Sequence, residues 1–126
     1  MSDIVKQIED LKVVPVVAIQ NLDDAERLAD ALTAGGIACA EITLRTEAGL
    51  PAIELLAKRS GFLVGAGTVH NADQAAAVID AGAKFVVAPG FNPKTVAKCI
   101  DKDVPIFRVR RARRTWRWRW SSGWTS

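Results

Sequence analysis

Residues 13–36 read VVPVVAIQNLDDAERLADALTAGG, and this stretch decides the fold class. Its first seven residues are a continuous apolar run, which is typical of a strand buried on both faces of a parallel sheet. The second half spaces its apolar residues from Ala25 to Leu32 as one face of a helix does, and Gly35 and Gly36 follow where a helix end favours glycine. The stretch therefore predicts one β-strand followed by one α-helix.

The same unit repeats along the first 107 residues. Further apolar runs occupy residues 38–44, 62–68, 85–89 and 104–107, and consecutive runs begin 19 to 25 residues apart. This spacing fits one strand plus one helix. Alternating units with short loops form a parallel sheet with right-handed crossovers. We therefore predict an α/β fold, which is either a doubly wound open sheet or part of a barrel.

Local signals mark several helix boundaries. Asn71, with Gln74 three residues later, has the spacing of a capping box, and Asn92 precedes Pro93 at a first helical position. Residues 4–11 are predicted to form a short leading helix. These boundaries agree with the repeat of strands and helices.

Length and composition exclude several classes of protein. The 126 residues fit one domain, whereas a complete eight-fold barrel needs about 200 or more. The 49% apolar content can build a core, and no uncharged apolar run is long enough to span a membrane. No secretory signal is visible at the start, so we expect a cytoplasmic protein. Cys39 and Cys99 are too few for a disulfide framework or a zinc site, and no cofactor or metal is predicted.

The charge is divided between two segments of different composition. Residues 1–107 hold ten Lys+Arg and fourteen Asp+Glu, a formal charge of −4, whereas residues 108–126 hold seven Arg and no acid. All four Trp also lie in residues 108–126. We therefore divide the chain into an α/β segment, 1–107, and an Arg/Trp-rich tail, 108–126.

Polar or conformationally special residues follow the middle strands, where ligands of parallel α/β proteins bind. In the first of these segments, residues 41–46, the side chains of Glu41, Thr43 and Arg45 point the same way by period-two alternation. A carboxylate and a guanidinium on one face of a buried strand either pair with each other or meet a charged ligand. The three strand ends read EITLRT at 41–46, VGAGT at 64–68 and VAPG at 87–90.

These motifs resemble the 2-keto-3-deoxy-6-phosphogluconate (KDPG) aldolases and their 4-hydroxy-2-oxoglutarate (KHG) relatives. The likeness covers residues 10–107 in order and in spacing, and the pair EITLRT and GAGTV carries most of its specificity. The matching stretches are VPV at 14–16, AGGI at 34–37, EITLRT at 41–46, VGAGTV at 64–69, and residues 81–90.

The resemblance implies a (β/α)8 TIM barrel, of which residues 1–107 would be the N-terminal four to five βα units, an incomplete barrel with parallel strands. It implies a class I aldolase without metal, in which a Lys forms a Schiff base with a pyruvate-type keto acid. The substrate would be KDPG, giving pyruvate and glyceraldehyde 3-phosphate, or KHG, giving pyruvate and glyoxylate. The full-length family member would be a homo-oligomer. In the family pattern Glu41 is the general acid/base, Arg45 binds the substrate carboxylate, and Thr68 and Pro89 line the pocket.

Other interpretations of these residues stay open. Glu41 and Arg45 could form a structural ion pair, and Thr68 could cap a helix. Gly65 and Gly67 could serve close packing alone. The chain as a whole could be a non-catalytic α/β binding or assembly module, or it could bind membranes or nucleic acid through its cationic tail.

The family pattern ends at Phe107. The nucleophilic Lys of the family follows on the sixth strand, so the chain is expected to be truncated before this Lys and inactive as written. After Phe107 the family continues Pro-Gly-Val, whereas this chain continues RVRRARR. GC-rich codons read in a shifted frame give such Arg and Trp enrichment. One choice of codons for residues 115–126, moved by two bases, gives MEMALEFGLDV, so the tail is expected to be a frameshift product with no specific nucleic-acid partner.

Overall fold

A computed structural model describes residues 2–90, 92–112 and 115–120 of the chain. Helices and strands alternate along most of this length, as the repeat predicts. The helices are α1 (Ser2–Leu11), α2 (Ala25–Ala34), α3 (Gly49–Ala57), α4 (Ala72–Asp80) and α5 (Pro93–Asp101), with a 3-10 turn at Leu22–Asp24 before α2. The strands are β1 (Val16–Val17), β2 (Cys39–Thr43), β3 (Leu63–Gly67), β4 (Val86–Ala88), β5 (Ile106–Ala112) and β6 (Thr115–Trp120).

The capping residues start α4 and α5 as the sequence predicts. The Asn71 side chain accepts a hydrogen bond from the backbone N–H of Gln74 at 2.8 Å, and Asn92 caps the first turn of α5 with Pro93 inside it. The Gln74 side chain accepts from the N–H of His70 instead of closing a capping box on Asn71. Both helices therefore begin where a local side chain satisfies free N–H groups.

The strands form one sheet in the order β1-β2-β3-β4-β5-β6, in which the first five strands are parallel. Sequential order without a reversal is the order of a barrel segment, whereas a doubly wound sheet reverses its strand order at a switch point. This order decides between the two architectures that the repeat left open. The predicted βα units of a barrel are confirmed.

The sixth strand was not predicted. β6 pairs with β5 in antiparallel register, with Arg108 opposite Arg119 and Ala112 opposite Thr115. Strict alternation of Trp and Arg has the period of two that suits an extended strand. The tail interpretation rested on composition and therefore assigned no secondary structure to these residues.

The sheet is buried on both faces over β2, β3 and β4. On the outer face, Ile42, Val64 and Val86 belong to a core cluster that continues into α2, α3, α4 and α5. On the inner face, a second cluster includes Cys39, Leu63 and Phe85, and the apolar side of α1 packs against it. The polar side chains Glu41 and Thr43 of β2 lie on the inner face, and both are buried.

Within the described residues, no helix is long and apolar enough to cross a membrane.

Candidate active site at the carboxyl ends of the strands

Glu41 is one of three buried polar side chains among the described residues, and only 4% of it is exposed. It lies at the centre of β2, between Ala40 and Ile42, whose side chains alternate to the outer core. Its Oε2 atom has no hydrogen-bond partner in the described part of the chain. A buried carboxyl without a partner is costly as an anion, so the site favours a protonated or a ligand-bound Glu41.

Burial raises the pKa of Glu41 from its ordinary value of 4.5 to about 7, and the nearby positive charge of Arg45 lowers it in part. A carboxyl group with a pKa near neutrality both gives and takes a proton at physiological pH, which is the property of a general acid/base. The same burial raises the pKa of the Cys39 thiol to about 12, with a smaller contribution from the charge of Glu41. Cys39 is therefore a protonated, unreactive core residue.

Glycines on the neighbouring strand make room for these side chains. A Cβ atom at Gly67 would lie only 1.9 Å from Oε1 of Glu41, so the carboxyl group occupies the space that a side chain at position 67 would need. A Cβ atom at Gly65 would lie 2.2 to 2.4 Å from three ring atoms of Phe85. Gly65 and Gly67 of the motif VGAGT therefore leave the space on the inner face that the Phe85 ring and the Glu41 carboxyl group occupy.

The structure places Arg45, Thr68 and Pro89 just after the carboxyl ends of β2, β3 and β4, which are neighbours in the sheet. Arg45 and Pro89 are exposed, and Thr68 is half-buried. Glu41 lies at the centre of β2, but its carboxyl group reaches Gly67, the last residue of β3, and is therefore near the same end of the sheet. No ion pair joins Glu41 to Arg45 within the described residues, so the structural ion pair is not the arrangement of this chain.

Thr68 does not cap a helix, because Asn71 is the N-cap of α4. It has a φ of 59°, in the left-handed region that non-glycine residues adopt at a cost of about 1–3 kcal/mol. Such strain is frequent at ligand sites, where a residue must present its side chain or backbone at an unusual angle. The interpretation of Thr68 as a helix cap is therefore wrong, and its contact with a substrate stays a prediction.

The sequence did not predict two features of the site. The hydroxyl of Thr46 donates a hydrogen bond to the carbonyl of Ile19, which ties the loop carrying Arg45 to the segment that follows β1. The inner face also has a cavity of about 280 Å³ beneath α1, lined in part by Glu41, Phe85 and Lys12. Neither feature has a local signal, because each depends on residues more than 20 positions apart.

No cluster of three His, Cys, Asp or Glu side chains with metal-binding geometry occurs among residues 2–90, 92–112 and 115–120.

Comparisons with known proteins all point to the same family. The sequence model of the aldolase family "KDPG and KHG aldolase" matches residues 4–109. A 2-dehydro-3-deoxy-phosphogluconate aldolase of Haemophilus influenzae is 49% identical over 106 residues, which are 83% of this chain and 50% of that protein. The chain therefore spans about half the length of the curated relatives that it matches.

Solved structures show the same relationship. The 2-keto-3-deoxy-6-phosphogluconate aldolase of Zymomonas mobilis ZM4, solved with 3-phosphoglycerate, superposes with a TM-score of 0.81 at 35% identity, covering 89% of this chain and 54% of that one. The KDPG aldolase of Legionella pneumophila, with pyruvate captured at low pH as a covalent carbinolamine intermediate, gives a TM-score of 0.72 at 40% identity, covering 75% and 47%. The family match, the sequential parallel strands and the buried carboxyl group at their carboxyl ends agree, and the chain belongs to the KDPG and KHG aldolase family.

Proposed function

We propose that this chain carries the acid/base and carboxylate-binding half of a class I aldolase site for a pyruvate-type keto acid. Glu41 moves the proton through a water molecule, and Arg45 binds the substrate carboxylate through its planar fork. Thr68 and Pro89 line the same pocket. The observation that carries the proposal is the buried carboxyl group of Glu41, which has no partner for Oε2 among the described residues and a pKa near 7.

The reaction of the full-length family member would be the retro-aldol cleavage of KDPG to pyruvate and glyceraldehyde 3-phosphate, or of KHG to pyruvate and glyoxylate. A lysine amine would form the Schiff base with the keto group and release water, and the protonated imine would then accept the electron pair of the breaking carbon–carbon bond. A carbinolamine of pyruvate, as captured in the Legionella pneumophila relative, is the intermediate that precedes such an imine.

We propose that the 126-residue polypeptide itself does not perform this step, because it presents no amine at the carboxyl ends of its described strands. Lys84 precedes β4 at the opposite end of the sheet and is exposed. Lys94 and Lys98 lie on α5, and Lys102 follows it. Lys12 lines the cavity beneath α1, but it follows α1 at the amino-terminal side of β1. The polypeptide therefore binds a keto acid without turnover.

A titration with pyruvate tests this half-site directly. In the ¹⁵N-labelled chain, we expect pyruvate to shift the amide signals of Gly67, Thr68 and Gly90, which lie at the strand ends. Arg45→Ala should weaken this binding roughly 10-fold, because a charge-assisted hydrogen bond contributes about 1.5–3 kcal/mol. Borohydride added with pyruvate should leave the protein mass unchanged.

Arg59→Ala is the matched control, because Arg59 pairs with Asp30 away from the site. Equal weakening by both substitutions, or shifts spread evenly over the protein, would count against a keto-acid site at Arg45. A stoichiometric borohydride adduct on one lysine would instead refute the proposed lack of chemistry, while leaving the binding site in place.

We further propose that residues 108–126 are translated from a shifted reading frame. Tryptophan has a single codon, TGG, and a frame that begins one base earlier places TG at the second and third positions of a codon. Such a codon always encodes Met, Leu or Val. The four Trp at 116, 118, 120 and 124 therefore become aliphatic residues, whichever codons surround them.

The whole tail decodes as one continuous peptide in this frame. With a single C restored after the codon of Phe107, one set of codons for residues 108–126 gives PGATSPTDMEMALEFGLDV without a stop codon. The peptide begins Pro-Gly, as the family does at this point. The run SPTD then supplies hydroxyl caps and a proline suited to a helix start, MEMALEF is a helix-forming run, and the glycine ends it before a new strand. One lost base thus accounts for the change of composition at Phe107.

The DNA across the codon of Phe107 tests this proposal. We expect Arg108 to have a CGN codon, because an AGA or AGG codon cannot give proline in the restored frame. The restored frame should continue open past the codon of Ser126. Arg108 encoded by AGA or AGG, or a TAG triplet in the restored frame before that point, would rule out the shift and favour a genuine cationic tail.

A further inference from the structure

Thr43 is a buried polar side chain that the proposed function does not use. It lies two residues after Glu41 on β2, is 1% exposed, and its Oγ1 atom has no hydrogen-bond partner within the described residues. A buried polar group without a partner costs about 1–3 kcal/mol, and native proteins satisfy most such groups with protein atoms or with ordered water. Two such groups in succession on one strand face indicate a shared partner.

The geometry brings the two groups to the same level of the inner face. Thr43 is in register with Gly67 on the neighbouring strand. The Glu41 carboxyl group lies against Gly67 as well, since its Oε1 occupies the place of a Cβ atom there. The Glu41 side chain therefore leans along the strand towards Thr43, and both polar groups adjoin the same glycine.

We propose that Thr43 is a positioning residue whose hydroxyl group, together with Oε2 of Glu41, holds one water molecule at the carboxyl end of β2. A hydroxyl group suits both states of a proton carrier, because it donates to the system when Glu41 is ionised and accepts when Glu41 is protonated. That this water exchanges the proton with the substrate rests on the proposed aldolase function. The link between Thr43, the water and Glu41 does not depend on it.

Several charged or titratable groups lie near Glu41 on the surrounding elements. Arg45, just after β2, lowers the pKa of Glu41, whereas Cys39, at the start of β2, has its own pKa raised by the charge of Glu41. Glu9 and Lys12, from α1 and its end, line the cavity that Glu41 also lines. Substitution of Thr43 changes none of these groups. A change in the Glu41 titration in such a variant therefore reports the loss of the hydroxyl group.

The test measures the pKa of Glu41 by ¹³C NMR of the glutamate carboxyl groups in the full 126-residue chain. Thr43→Val keeps the shape of the side chain and removes the hydroxyl group. We expect it to raise the pKa of Glu41 by about one pH unit, because the ionised form loses a hydrogen bond. Thr43→Ser keeps the hydroxyl group and should retain the native pKa.

Thr95→Val is the matched control. Thr95 is equally buried, and its Oγ1 atom also lacks a partner among the described residues, but it lies on α5, which packs against the outer face of the sheet. It should leave the Glu41 pKa unchanged. Thr43→Ala is smaller than the native residue and provides a second hydroxyl-free variant if Val disturbs the amide spectrum.

An unchanged Glu41 pKa in both hydroxyl-free variants would overturn the inference, as would an equal increase in Thr95→Val. Neither result would affect the proposed keto-acid site, which is measured separately through pyruvate binding in the Arg45→Ala variant. Conversely, if Arg45→Ala and its control bound pyruvate equally well, the proton exchange with a substrate would be refuted. The effect of Thr43 on the Glu41 pKa would still stand.

Discussion

Replacing Glu41 with Gln should remove a large pH dependence from the stability of this protein. The folded state holds the Glu41 pKa at about 7, against 4.5 for the ordinary group. The folded state therefore binds more protons than the unfolded state between these values, and stability is lost as the pH rises through that window. The difference corresponds to about 3 kcal/mol in the free energy of unfolding.

The measurement is urea unfolding of the wild type and of Glu41→Gln at pH 4.5, 6, 7 and 8.5. Gln has nearly the same shape and stays neutral, so the variant should equal the wild type at low pH and exceed it by roughly 2–3 kcal/mol at pH 8.5. Glu54→Gln, on an exposed position of α3, should follow the wild type at each pH.

Apart from positions 41 and 54, the three proteins have the same ionisable groups, whose contributions cancel in the differences. A stability difference between Glu41→Gln and the wild type that is the same at pH 4.5 and at pH 8.5 would mean that the folded state does not raise the Glu41 pKa. The acid/base role proposed for this residue would then lose its physical basis.

The sequence predicted the order of the elements because several boundaries have a local cause. Asn71 and Asn92 start α4 and α5 through their own side chains, and the glycines at 36 and 82 adopt positive φ values where the helices end. Continuous apolar runs placed the strands, although β1 contains only Val16–Val17 of the predicted 13–19.

The architecture and part of the site required tertiary information. Periodicity cannot distinguish a barrel segment from a doubly wound sheet, since both have the same local units; the strand order does. Alternation alone placed Glu41 and Thr43 on one face, and the motifs placed Arg45 at the strand end. The position of α1 over the inner face, by contrast, depends on contacts of Ile4 and Ile8 with distant strands.

Gly65→Ala should destabilise the protein by about 2–3 kcal/mol, because the added methyl group has no space. It would lie 2.2 to 2.4 Å from three ring atoms of Phe85, a distance that real Cβ atoms do not reach. The ring is 1% exposed and is held edge-on against Phe107, with ring centroids 6.3 Å apart, so it cannot turn away at low cost. Overpacking of this kind typically costs 1–3 kcal/mol or more.

A double-mutant cycle separates this clash from other effects of losing a glycine. Phe85→Leu alone creates a small cavity and should cost about 1–2 kcal/mol, but it also removes the ring that meets the new methyl group. The double variant should therefore be at least 1 kcal/mol more stable than the sum of the single changes predicts. Gly35→Ala is the control, since its Cβ would have ordinary contacts at 3.5 and 3.6 Å and its φ is −82°.

The outcome also bears on the chemistry of the site. Gly65 is the register partner of Glu41 on the adjacent strand, so the layer that accommodates the ring of Phe85 also fixes the base of the Glu41 side chain. If Gly65→Ala were as harmless as Gly35→Ala, Gly65 would not be a packing requirement, and the glycines of the VGAGT motif would need a different explanation. Strict additivity in the cycle would lead to the same conclusion, because it would show that Phe85 and position 65 do not interact.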